Sequence, residues 1–233
     1  MVIFKKNIFI IILFLASSGF ITLGARYKIS KTEPTLWLNI SEESLLEGFS
    51  KTKFSNPSYQ PLAGVAESDQ RRIIIQEIIN DYNNIGTSYL RLSFYPNSVV
   101  AASESPEDTF FSEEIAKTRT IDIIKQGNSA VQAGSASPQT DSSSGERIYI
   151  GCKIVLGSYT FKNAETFKKT LTHEIGHCLG LDHNHSDTDA LMGYNSTTHK
   201  LGVDDKMGIT YLYPLEESYG KEAMTFGLAC QRR

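Results

Sequence analysis

The sequence predicts an α+β domain, on three observations. Five short runs have the length and apolar content of strands, and Arg147 to Leu156, nearly continuous in apolar residues, reads as central and buried. Ile74, Ile75, Ile78, Ile79, Tyr82 and Ile85 recur at helical spacing, as a helix packed on a sheet requires. Phe167, Leu171, Ile175 and Leu179 mark a second helix, whose core face leaves His173 and His177 pointing elsewhere.

Taken in order, the chain opens with a targeting segment. Lys5 and Lys6 form a basic region ahead of the apolar run Ile8 to Leu15. Small residues follow at Ala16, Ser17, Ser18 and Gly19, with a second candidate cleavage point after Ala25. An uncleaved anchor is the competing reading, since the apolar stretch to Ala25 reaches the lower limit of a membrane span. Ser17, Ser18, Gly19, Thr22 and Gly24 weaken it, and Arg26, Lys28 and Lys31 erase any positive-inside asymmetry. The expectation is therefore a leader at residues 1–25 and a secreted or periplasmic protein, anchored to the membrane if the leader is kept.

About 208 residues remain, enough for one domain with a sizeable core. Thr35 to Ile40 (T-L-W-L-N-I) is the first strand, and a polar stretch without a clear period runs to Gly64. Ser68 is placed to cap a helix through about Asn83. Tyr89 to Tyr95 is the next strand, with Leu90, Leu92 and Phe94 on one face. Ala101 to Lys117 is acidic and loop-like; Thr120 to Lys125 and Ala130 to Ala136 are strands three and four. Pro138 to Gly145 reads as a loop by composition, and Arg147 to Leu156 is strand five. A helix begins near Asn163, and a last one is capped by Asp204 and ended by Pro214.

The chemistry lies in Thr172 to Tyr194, T-H-E-I-G-H-C-L-G-L-D-H-N-H-S-D-T-D-A-L-M-G-Y. His173 and His177 are four residues apart, so on a helix they sit about 40° apart in rotation and roughly 6 Å apart in rise. Two imidazoles on one face can reach one ion. Were the helix to continue, His183 would lie about 9 Å further along and about 240° around. The chain must therefore turn back between them, and Gly180 is the residue that can adopt the left-handed conformation that ends helices. All five fixed positions, with Glu174, would coincide by accident in about one chain in a hundred thousand, so the pattern points to a metal.

This segment resembles the active-site signature of the metzincin zinc endopeptidases, H-E-x-x-H-x-x-G-x-x-H followed by a methionine turn. Within them it is most similar to the matrixins, through L-G-L-D-H, the A-L-M of Ala190 to Met192, and L-G-V-D-D-K-M-G-I-T-Y-L-Y at Leu201 to Tyr213. The likeness implies a zincin-like fold: a twisted five-stranded mixed sheet packed on the active-site helix, with a small C-terminal subdomain after the glycine turn. The upper part would span residues 26–180 and the lower part 181–214, with 215–233 as an extension. It also implies Met192 packed beneath the metal, and Asp204 and Asp205 bracing its turn; a helix cap with a solvated neighbour is the plainer reading of those aspartates. Asn184 stands where matrixins usually carry serine, Tyr194 is closer to the astacin and serralysin pattern, and no cysteine-switch segment precedes the domain.

Three neutral imidazoles, His173, His177 and His183, leave zinc an open fourth position, as in catalytic rather than structural sites. The expected reaction is peptide-bond hydrolysis through a zinc-bound water, with Glu174 as general base and then acid. By resemblance to astacin-like enzymes Tyr194 is a candidate to ligate the zinc at rest or to donate to the oxyanion; otherwise it is a wall of the cleft. By resemblance, a peptide would add as a strand near Ala133 to Ala136. His185 is the alternative third ligand and His199 is expected at the surface. One zinc ion is expected; no calcium loop is clear, which leaves calcium open.

Cys152, Cys178 and Cys230 allow three pairings or free thiols, and the sequence does not choose. The net charge of −3, two units lower without Lys5 and Lys6, offers no footprint for nucleic acid or an anionic membrane. A monomer acting on peptide or protein substrates is expected. A non-catalytic zinc-bearing module and a cell-wall amidase are the alternatives.

Overall fold

The computed structural model describes residues 20–40, 67–95, 118–125, 134–161, 163–184 and 189–231. The basic and apolar leader positions, the polar stretch to Gly64, the acidic segment 101–117 and His185 lie outside the described residues. Eight strands are present among those described. They are β1 (Ile21–Thr22), β2 (Arg26–Tyr27), β3 (Thr35–Ile40), β4 (Arg91–Phe94), β5 (Thr120–Lys125), β6 (Gly134–Asp141), β7 (Ile148–Leu156) and β8 (Leu181–Asp182). The helices are α1 (Glu67–Asn83), α2 (Ala164–Leu179), α3 (Val203–Leu212) and α4 (Glu217–Gln231).

The main sheet is mixed. β4, β3, β5 and β7 run parallel, and β6 lies antiparallel along the whole of β7. Since β6 takes one edge of β7, the short β2 and β5 share the other, Tyr27 opposite Tyr149 and Ile121 opposite Cys152. β7 is thus the central strand that its apolar run implied, with Tyr149, Cys152, Ile154 and Leu156 buried. The two long helices pack against the sheet. Ile74, Ile75, Ile78, Ile79 and Tyr82 of α1, with Ile85 beyond it, are all buried, as are Phe167, Leu171, Ile175 and Leu179 of α2. Tyr82 also donates its hydroxyl to the Thr172 carbonyl at 2.8 Å, joining the two helices.

Several boundaries differ from the sequence reading, each for a local reason. The fourth strand continues through Pro138 to Asp141 instead of giving way to a loop. It is an edge strand, where proline is tolerated, and it takes its regularity from pairing with β7. Ser68 lies inside the first turn of α1, which starts at Glu67. Asp204 is likewise inside α3, whose cap is Gly202. Residues beyond Pro214 form a further helix, α4. Asn163 does cap α2, its side-chain oxygen accepting the Thr166 amide at 2.7 Å. No helix among the described residues is long and apolar enough to cross a membrane.

Residues 20–25, assigned to the leader by hydropathy, are packed into the domain. β1 pairs antiparallel with β8, and the Leu23 amide donates to the Gly180 carbonyl at 2.8 Å. Phe20 is 5% exposed and its ring lies 5.5 Å from that of Tyr211 on α3. Ala25 is buried too. An apolar segment looks the same in hydropathy whether it crosses a membrane or fills a core; only its partners distinguish the two.

Truncating Phe20 tests whether this strap belongs to the fold. Phe20→Ala is expected to lower unfolding free energy in urea by roughly 3 kcal/mol, the usual cost of emptying a buried phenylalanine site. A loss under about 1 kcal/mol would match a surface position instead.

Candidate active site

α2 carries His173, Glu174 and His177, and its end is set by Gly180. That residue has φ 110°, in the left-handed region, and its amide bonds back to the carbonyls of Gly176 and His177. A Cβ there would also lie 2.6 Å from the Ala25 carbonyl oxygen. The turn sends the chain through β8 and back past the helix, which brings His183 to the other two histidines.

The three Nε2 atoms converge. Nε2 of His183 is 3.2 Å from that of His173 and 3.3 Å from that of His177. Nitrogens about 2.0–2.1 Å from one tetrahedral ion are spaced about 3.3 Å apart, so the described geometry fits zinc. Proton placement fits as well. Nδ1 of His173 lies 3.0 Å from the Leu191 carbonyl oxygen and Nδ1 of His177 lies 2.9 Å from that of Leu181. A carbonyl only accepts, so each Nδ1 carries the proton and each Nε2 offers a lone pair. Facing lone pairs repel unless a cation lies between them. Burial, above all, lowers the pKa of His173 and takes that of His177 down to about 4, so both rings are neutral near pH 7.

Glu174 is adjacent to His173 yet outside the three-histidine group. Its side chain faces β6, where the Ala136 amide donates to the carboxylate. It is 7% exposed, and burial raises its pKa to about 7 against the pull of that amide.

Below the histidines, Met192 is 2% exposed and its sulfur lies 2.6 Å from where a Cβ on Gly176 would sit. The glycine between the two helical histidines is therefore what lets the methionine turn approach α2. Asp205 organises that turn, accepting the amides of Leu191 at 2.7 Å, Met192 at 3.1 Å and Gly202 at 2.7 Å. It thus combines the bracing and the capping readings in one residue. Asp204 accepts from Asn184 Nδ2 at 2.7 Å, which gives a partner to the asparagine that replaces the usual serine.

Asn184 also forms a bridge with Gly193. This sets the preceding His183 beside the following Tyr194, and their rings stack with centroids 4.3 Å apart and planes at 16°. Tyr194 is 61% exposed. His199 lies away from the three-histidine cluster, and its electrostatic neighbours are Lys168, Glu165, Lys200 and Asp81.

Other contributors had no signal in the sequence. The carbonyls of Leu181 and Leu191 and the amide of Ala136 are backbone groups, which every residue possesses. Tyr213 donates its hydroxyl to the Leu179 carbonyl at 2.8 Å and so satisfies the end of α2. Cys152 and Cys178 are joined in a disulfide, one of the three pairings left open.

The family model described as Matrixin matches residues 91–214, which takes the likeness well upstream of the zinc motif. No curated protein matches the chain.

Burying Glu174 has a consequence for the metal-free protein. Its folded pKa of about 7 exceeds its ordinary value of 4.5, so between those pH values the folded state holds the proton more often than the unfolded chain. Stability from this group is present below pH 4.5 and is lost as pH rises through 7. In metal-free protein, Glu174→Gln should match the parent at pH 4 and be more stable at pH 8 by roughly 3 kcal/mol. Urea titrations at the two pH values measure this, and an equal offset at both would exclude a buried ionising carboxylate.

Proposed function

The chain belongs to the matrixin family of zinc metallopeptidases, and from that premise we propose an exported endopeptidase that uses Glu174 as its acid–base group. The observation that carries this reading is the pairing of three converging imidazole nitrogens with a buried carboxylate beside them. A zinc ion held by His173, His177 and His183 would supply Lewis acidity and an open coordination position for water. Glu174 takes a proton from the attacking water and returns it to the leaving amine; its raised pKa suits both transfers.

The substrate is a peptide in extended conformation. Among the described residues β6 is hydrogen-bonded as a strand to β7 alone, and a peptide added at its other edge would run past Glu174. The Glu174 burial also favours an enzyme over a non-catalytic zinc module. A purely structural site gains nothing from a buried carboxylate that opposes folding at neutral pH. Export fits the leader, with cleavage in the Ala16 to Gly19 cluster ahead of Phe20, since the packed strap at residues 20–25 would survive it. The protein would act as a monomer outside the cytoplasm.

A panel of unfolded proteins, peptides and cell-wall fragments, incubated with and without chelator, tests the reaction class. Chelator-sensitive cleavage of peptides alone is the expected result, and cleavage of cell-wall amides alone would favour the amidase. Glu174→Ala should keep stoichiometric zinc while losing about 10²–10⁴ in kcat. Metal analysis showing zinc lost with the carboxylate would make Glu174 a ligand and end this assignment.

Tyr194 is assigned as a donor to the carbonyl oxygen in the transition state, from its place over His183 and facing solvent. Tyr194→Phe then loses about 10²–10³ in kcat with KM and zinc content unchanged. Turnover within a few-fold of the parent would leave the tyrosine as a ring packed on His183.

A further inference from the structure

The Cys152–Cys178 bond takes no part in hydrolysis, yet it enters α2 at the residue after His177. Its other end is in β7, where Cys152 lies opposite Ile121 of β5 and Pro138 of β6. The bond thus ties the last turn of the ligand helix to the middle of the sheet. Cys152 is 3% exposed and Cys178 fully buried.

Apart from the Ala136 amide on Glu174, apolar contacts hold the rest of α2 to the sheet, and these are non-directional. They oppose separation of helix and sheet more strongly than a small roll or slide. Two imidazole nitrogens held 3.2 and 3.3 Å from that of His183 tolerate little of either. A covalent link beside His177 restrains both motions at the point where the metal needs it.

We propose that Cys152 and Cys178 are positioning residues, whose bond holds His177 in ligating register and so governs how long zinc is retained. This rests on the three-imidazole zinc reading above. Forming the bond removes two protons and two electrons from two thiols. An oxidised disulfide reagent takes up the electrons: one protein thiolate attacks it, breaking its S–S bond to release one reduced thiol and leave a mixed disulfide, and the second protein thiolate then displaces the other reduced thiol. Once the domain closes, neither sulfur is reachable, so the bond is made once during folding rather than switched. The site therefore matures fully only where such an oxidant is available.

Alkylation and peptide mapping of the denatured, zinc-loaded full chain come first, with Cys152 and Cys178 expected to be protected. Recovery of both as free thiols would overturn the proposal. Cys152→Ala/Cys178→Ala is then compared with the parent for zinc transfer to a chromophoric chelator under native conditions, and for kcat and KM. Zinc transfer about 10-fold to 100-fold faster is expected, the range seen when groups that orient metal ligands are removed. kcat per zinc-loaded molecule falls while KM holds. A variant that melts lower but releases zinc at the parent rate would show a staple of the whole fold and overturn the positioning role. Cys152→Val/Cys178→Ala restores volume should the first variant not fold; if neither folds, the positioning role is likewise overturned. A parent chain that takes up no zinc fails the metal reading itself, a result distinct from all of these.

Discussion

The reversal at Gly180 is the constraint on which the site depends. A helix can supply two ligands to one ion, but a third must come from chain that has left the helix. The reversal is held from several sides. The positive φ demands glycine, the Leu23 amide takes the Gly180 carbonyl, the Tyr213 hydroxyl takes the Leu179 carbonyl, and the Ala25 carbonyl leaves no room for a Cβ. Segments from both ends of the described chain therefore meet at one turn. His183 is positioned by residues more than 150 positions before it and 30 positions after it.

Around that turn, buried polar groups are matched chiefly to backbone, the Asn184–Asp204 pair apart. Asp205 gathers three amides of the methionine turn, and two imidazoles donate to carbonyls. Such bonds leave few buried groups unsatisfied and set each side chain in one orientation. Glu174 is the exception. It receives one amide, and burial outweighs it, so the carboxylate is held near neutrality in its proton affinity. On the proposed mechanism, tight fixation of the histidines and poor solvation of Glu174 are complementary, since a group that exchanges protons cannot be fully satisfied.

The fold was legible where periodicity is strong. α1, α2, β3, β5 and β7 fall where isoleucine spacing and apolar runs put them, because burial of one face imposes a period on the sequence. β6 was legible only at its start. Its later residues, S-P-Q-T-D, carry no apolar alternation, and pairing with β7 alone makes them a strand. The strap at residues 20–25 is the opposite case, apolar enough to be read with the leader although it packs on α3 and β8.

By itself the sequence determined the local pattern of the candidate site: the histidine spacing, the adjacent carboxylate and the glycine that ends the helix are local, and local geometry follows from local residues. Only the tertiary structure decided which carbonyls orient the imidazoles, that Asn184 answers to Asp204, that Tyr194 stacks on His183, and which two of three cysteines join. Each of these pairs atoms remote in sequence or drawn from the backbone. Neither kind of pairing leaves a period or a spacing in a single chain, so it becomes visible only when the fold brings the partners together.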